Sequence, residues 1–153
     1  MLKRAIRRVW QLISPDTRSW LVRKTQSSFT VSAAAIIFNE KKEVLLLNHV
    51  LRPNSGWGIP GGFIEKGEQA EDAVRREIRE ETGIELSRLK LYTIRTLGTH
   101  LEILFFAMAE GEPQIRSAEI IEANWYAPSD MPEDVVRVHG EHIENAIHAL
   151  DRS

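Results

Sequence analysis

The stretch GGFIEKGEQAEDAVRREIREETGI, residues 61–84, sets Glu77, Glu80 and Glu81 within five positions, just after a glycine-rich loop. At about 100° per residue the segment 69–82 reads as an amphipathic helix, with Ala70, Ala73, Val74 and Ile78 in one arc facing a core. Glu77 and Glu81 fall inside that arc and Glu80 on its edge, while Asp72, Arg75 and Arg79 point the opposite way. An i, i+4 pair of like charges destabilises a helix by a few tenths of a kcal/mol, and by more once partly buried. An inward carboxylate cluster therefore calls for a positive counterpart. Arg76 is one candidate, but a single guanidinium cannot neutralise three carboxylates, whereas a divalent cation can. Oxygen donors with no cysteine in the chain and no histidine in the cluster favour a hard ion, Mg²⁺ with Mn²⁺ as a possible substitute, over Zn²⁺. Because Mg²⁺ commonly combines one or two carboxylates with substrate phosphate oxygens, the cluster points to phosphate chemistry. The preceding GWGIPGGF, residues 56–63, supplies four glycines that let backbone approach a ligand closely, with Pro60 stiffening the turn.

The remainder of the 153 residues fits one globular domain, 42% hydrophobic and 27% charged. With no cysteine there is no disulfide, thiolate metal site or thiol nucleophile, and a reducing cytoplasm is the expected setting. The apolar runs fall short of a membrane span, and no signal-peptide pattern is recognised, so a soluble chain is expected. Net charge is −2, which argues against a surface built wholly for nucleic acid. Charge is uneven, because residues 1–25 hold seven Lys and Arg against Asp16 alone. There LKRAIRRVWQLI reads as a short basic amphipathic helix ending near Ser14 and followed by an irregular link. The segments SFTVSAAAIIFN and KEVLLLNHV read as a hairpin across NEKK, and LKLYTIRTLGTHLEILFFAMAEGE as two strands broken near Gly98. EIIEANWYA reads as a further strand, and GEHIENAIHALDR as a closing helix with Ile143, Ala146, Ile147 and Leu150 on one face.

Gly62, Glu68, Arg76-Glu77-Ile78, Glu80-Glu81 and Gly83-Ile84 stand at spacings that resemble the Nudix box at every defined position. The resemblance implies an α/β fold, an α/β/α sandwich around a mixed sheet over residues 29–153, with residues 1–28 as a basic helical extension outside it. It further implies Mg²⁺-dependent hydrolysis of a nucleoside diphosphate linked to another moiety, by water attacking phosphorus. By position, Glu77, Glu80 and Glu81 match the metal-binding glutamates, and the Gly61 carbonyl matches a frequent further ligand. Glu68 is expected at the metal as a ligand or, with Arg76, as a residue that orients the glutamates. Glu119 loosely matches a distal glutamate that precedes a tryptophan, here Trp125, and shares with Glu77 the expected role of general base. Glu102 and Glu122 are rivals for that role and more often simply solvated.

Substrate identity is left open. Arrays that mark some subfamilies, such as SQPWPFPxS for reduced dinucleotides, are absent. Arg52 could hold a phosphate and Trp57 could stack on a base, although Trp57 also suits packing. His49, His100, His139, His142 and His148 are expected at the surface. A nucleotide-sensing module without turnover is the alternative to a hydrolase, and an isomerase reading is disfavoured by the lack of cysteine. A homodimer is expected, with residues 1–25 packing on protein; contact of that segment with an anionic membrane or RNA is the other reading.

Overall fold

The computed structural model describes residues 2–52 and 56–150, the side chains of Val136, Ala149 and Leu150 excepted. The expected place of Leu150 on the last helix's apolar face therefore lies outside the described residues. The chain forms two compact units, Met1–Thr30 and Val31–Ser153.

The first unit contains α1 (Leu2–Leu12) and α2 (Pro15–Thr25). Residues 15–25 are thus a second helix and not the irregular link expected from SPD. Pro15 sits at its first turn, where a missing N–H costs nothing, and the Ser14 hydroxyl caps it by accepting the Thr17 N–H at 3.2 Å. Ser-Pro-Asp stops one helix and starts the next.

The second unit is built on a seven-stranded sheet of β1 (Thr30–Phe38), β2 (Val44–His49), β3 (Trp57–Gly58), β4 (Gly61–Phe63), β5 (Leu86–Leu97), β6 (His100–Ala109) and β7 (Ile120–Tyr126). Strands run in the order β3-β2-β1-β6-β5, with β4 also paired to β1 and β7 to β2. The hairpins β1–β2 and β5–β6 and the strand β7 lie where the apolar runs predict them. Two helices cover the sheet, α3 (Ala70–Thr82) and α4 (Glu133–Leu150).

The period of two in β1 explains the layering. Ala33, Ala35 and Ile37 share a core with Ala73, Val74 and Ile78 of α3. Ala34, Ile36 and Phe38 share the other core with Val135, Ile143 and Ala146 of α4. A central strand buried on both faces reads as the continuous apolar run AAAIIF, and the result is the expected sandwich with its mixed sheet. The helix α4 begins at Glu133, earlier than the sequence suggested, and carries Gly140 inside it. Helix α3 ends in Gly83, whose φ of 71° is the left-handed cap that glycine adopts without strain.

Candidate active site

The helix α3 distributes its glutamates as their phase requires. Glu81 is buried at 7% exposure, Glu77 is half-buried, and the Glu80 side chain stands 61% exposed at the edge. Arg79 faces out, as expected, and pairs with Glu85. Arg75 does not: it is half-buried and donates to the Leu86 carbonyl at 2.6 Å, because its long stem reaches back over the helix end.

Arg76 is the organising cation of this end. It donates to both Glu68 oxygens at 2.8 and 3.0 Å, to Glu77 Oε1 at 2.9 Å and to the Phe63 carbonyl at 3.3 Å. Glu68 also accepts the Glu65 N–H at 2.9 Å. Its hydrogen bonds with Arg76 and with that backbone amide hold the Glu68 carboxyl well below the ordinary range. Glycine is required at Gly61 and leaves room for a carboxylate at Gly62. A side chain on Gly61, at φ 153°, would strike the Ala33 carbonyl and Ala34, and one on Gly62 would occupy the place of the Glu77 carboxylate. The loop backbone therefore lies directly against Glu77.

Glu81 is held differently. Backbone bonds from Gln114 to the Thr82 carbonyl, 2.9 Å, and from Arg116 to the Glu81 carbonyl, 3.0 Å, pin the helix end to the 110–118 loop. One carboxylate oxygen stands 4.0 Å from His49 Nδ1, and the other is buried with no hydrogen-bond partner among the described residues. Burial first, then the neighbouring Glu77, pushes its carboxyl up to about 8. Burial and the nearby Arg52 push His49 down to about 4, leaving it neutral beside Glu81. Among the described residues no three acidic or histidine side chains already converge on a common point as metal ligands. The donor chemistry nonetheless fits a cation, since an orphaned buried carboxylate oxygen is a costly arrangement that a cation would relieve.

Beside these glutamates opens a cavity of about 510 Å³ lined by His49, Arg52, Gly61, Gly62, Glu119 and His139 among others. Two of its lining residues touch the glutamates, Gly62 lying against the Glu77 carboxylate and His49 4.0 Å from Glu81. Glu119 faces the cavity from the loop before β7 and is close enough to raise the Glu81 carboxyl. A second lobe of about 650 Å³ shares Arg52, His100, Glu102 and His139 with the first, and adds Trp57, Arg95, Leu97 and Arg137. Arg52 stands at the junction. It donates to the Ile59 carbonyl at 3.1 Å and lies across Gly58, where any side chain would collide with its guanidinium. Glu81 and Glu102 both favour its charged form against the cost of burial. Trp57, half-buried, lines the second lobe and packs edge-on to Tyr126 with ring centres 5.2 Å apart.

Two expectations fail in this second lobe. His139 is buried at 9% exposure, not at the surface, with Nδ1 3.5 Å from Arg95. Burial, then Arg95, pushes its imidazole down to about 4. Glu102 is not solvated but paired with Arg95 at 2.5 Å, the two standing opposite each other on β5 and β6. A helix start placed at Gly140 hides the reason for the first: Val135, His139 and Ile143 form one stripe of α4 at a spacing of four. Glu102 shares its strand face with buried Leu104, a parity that could have marked it. His49 and His100 also belong to the cavity, with His100 Nε2 2.9 Å from the Ser32 hydroxyl.

The NUDIX domain model matches residues 28–146. The chain belongs to the Nudix hydrolase family. It is 35% identical over 100 residues to proteins of Salmonella paratyphi B and Salmonella newport named NAD-capped RNA hydrolase NudC, covering 63% of this chain but only 39% of theirs. Among solved structures, a MutT NUDIX hydrolase from Burkholderia pseudomallei superposes with a TM-score of 0.65 at 29% identity, over 75% of this chain and 95% of that one. An ADP-ribose pyrophosphatase from Streptococcus suis, 18% identical with a TM-score of 0.61, matches over 81% of this chain and 92% of that one and shares the fold. No helix among the described residues is long and apolar enough to cross a membrane.

Proposed function

We propose that this chain hydrolyses the pyrophosphate bond of a nucleoside diphosphate linked to another moiety, with Mg²⁺ as cofactor and Mn²⁺ as a substitute. The observation that carries the reading is the buried Glu81 oxygen without a partner, next to Glu77 and beside a cavity that offers Arg52 and Glu119. Glu77, Glu80 and Glu81, with the Gly61 carbonyl, would hold the cation. Bound there, it supplies charge neutralisation at the pyrophosphate oxygens and acidifies water.

The chain's own residues divide the remaining work. Arg76 and Glu68 fix the loop 61–68 against α3, so that the Gly61 carbonyl and Glu77 keep one geometry. We assign Glu68 to this positioning role, because both its oxygens are engaged by Arg76. Arg52 receives a substrate phosphate at the junction of the lobes, and Trp57 offers a face in the second lobe for a base. Glu119 faces the cavity, whereas Glu77 is engaged by Arg76; that difference favours Glu119 as the group that takes the proton from the attacking water.

A relative named for NAD-capped RNA places NAD and NAD-capped RNA in the substrate panel, beside ADP-ribose, nucleoside diphosphate sugars and nucleoside triphosphates. Hydrolysis in ¹⁸O-labelled water is expected to put the label on a phosphate product. Label on a sugar carbon rejects attack at phosphorus, and binding without turnover across the panel favours the nucleotide-sensing alternative.

A further inference from the structure

The proposed hydrolysis leaves α1 and α2 without a task. Together they expose Leu2, Ile6, Val9, Trp10, Leu12, Trp20 and Val22, and neither helix has a buried residue. Seven lysines and arginines in residues 1–25 face a single acid, Asp16.

The two kinds of side chain are sorted by phase. At about 100° per residue, Leu12, Ala5, Val9, Leu2, Ile6 and Trp10 fall in one arc of about 160°. Lys3, Arg7, Gln11, Arg4 and Arg8 occupy the rest of the circle, with no residue of either class inside the other's arc. An apolar face this wide, 59% and 60% exposed at Ile6 and Val9, is costly in water and needs cover. The cover must also accept cations along both borders of the stripe. A nucleic acid would satisfy the cations but leave the apolar arc wet, since its affinity comes from phosphates. A protein groove would cover the arc, yet would need acidic walls on both sides. A bilayer surface rich in anionic phospholipid meets both demands, with headgroups for Lys3, Arg4, Arg7 and Arg8 and the acyl boundary for Leu2, Ile6 and Val9. Tryptophan prefers that boundary, and Trp10 lies at the edge of the apolar arc where it would sit.

We propose that α1 is an interfacial anchor that lies in the plane of an anionic phospholipid surface. Eleven residues give only about three turns, so the attachment is reversible and depends on charge and apolar insertion together. The substitutions that test it fall on exposed side chains, so the folded units are left intact. They are Ile6→Asp with Val9→Asp for the apolar arc, and Arg4→Gln with Arg8→Gln for the cationic one.

Co-sedimentation of the full chain with vesicles, neutral phosphatidylcholine in one set and three parts phosphatidylcholine to one of phosphatidylglycerol in the other, decides it. The expected result is at least tenfold tighter binding to the anionic vesicles, release in 0.5 M NaCl, and a blue shift of tryptophan emission that Trp10→Phe diminishes. Each double substitution is expected to weaken binding at least tenfold, with an unchanged thermal transition. Equal affinity for both vesicle types overturns the proposal, as does binding that survives Ile6→Asp with Val9→Asp. Retention of the full chain by single-stranded RNA without any vesicle binding overturns it in favour of nucleic acid. A doubled mass by light scattering that falls to the monomer in the aspartate variant, again without vesicle binding, overturns it in favour of a second copy of the chain.

Discussion

The two lobes of the cavity are built in opposite ways. The glutamates of α3 and the loop that holds them come from residues 61–81, one loop and one helix, with Arg76 closing the circuit between them. The other end draws on three stretches of the chain, Arg52 with Trp57, Arg95 with Glu102 across the β5–β6 hairpin, and His139, which the sheet order and the α4 packing bring together. A site assembled locally constrains the sequence at fixed spacing, whereas a site assembled by topology leaves no spacing to read. Local assembly also suits chemistry common to a family, and distant assembly suits the recognition of one substrate.

The sharpest way to break this division is to neutralise one carboxylate. Glu81→Gln or Glu80→Gln is expected to lower turnover by about 10² or more on the best substrate at saturating Mg²⁺, with KM little changed. Near wild-type turnover in either variant removes the helix from the metal site. Glu81 adds a second signature. Its carboxyl, held up at about 8 against an ordinary 4.5, binds its proton more tightly folded than unfolded. Stability of the chelated protein is therefore expected to fall as pH rises from about 4.5 toward about 8, and Glu81→Gln to flatten that slope in thermal melts.

At the junction, Arg52→Ala is expected to raise KM by about tenfold while kcat changes several-fold less, because one phosphate contact is lost in the ground and transition states alike. A loss confined to kcat would instead move Arg52 into the chemistry of the first lobe. Further from the glutamates, Glu102→Gln leaves Arg95 half-paired in a largely buried setting. It is expected to cost about 2 kcal/mol by urea unfolding, with Arg95→Met with Glu102→Gln costing less than the single change. A cost near zero would show that water already serves the pair.

The same division explains what was legible in the sequence. The alternation of β1 residues between the two cores, the hairpin turns and the phase of Ala73, Val74 and Ile78 are consequences of periods of 2 and 3.6, so the sandwich and the inward Glu77 and Glu81 follow from residue order. Glu102 and His139 look like surface residues because each is polar and isolated in sequence. Their burial depends on Arg95 lying across the ladder from Glu102 and on α4 starting at Glu133, which the glycine at 140 obscures. Ser14-Pro15-Asp16 reads as a break because stop and start signals coincide there.

The smallest effect separates the lobes by acidity. His49 lines the first lobe beside Glu81 and His139 lies where the two lobes meet, and both imidazoles are pushed from 6.5 down to about 4 by burial, then by Arg52 in one case and Arg95 in the other. A lowered value means that the unfolded chain takes up protons that the folded chain refuses. Each histidine therefore withdraws stability as pH falls from about 6.5 toward about 4, the reverse of Glu81. Facing His139 are Arg95 and Arg52, which oppose its charging, and Glu102, which favours it, so Glu102 limits the effect. His139→Gln is expected to recover about 1 kcal/mol of the stability lost between pH 7 and pH 5, read from urea midpoints at the two values. His49→Gln should recover a similar amount in the chelated protein. If His139→Gln leaves the acid limb unchanged while His49→Gln removes it, the second lobe is open enough to hydrate its histidine, and the two ends differ in solvation as well as in assembly.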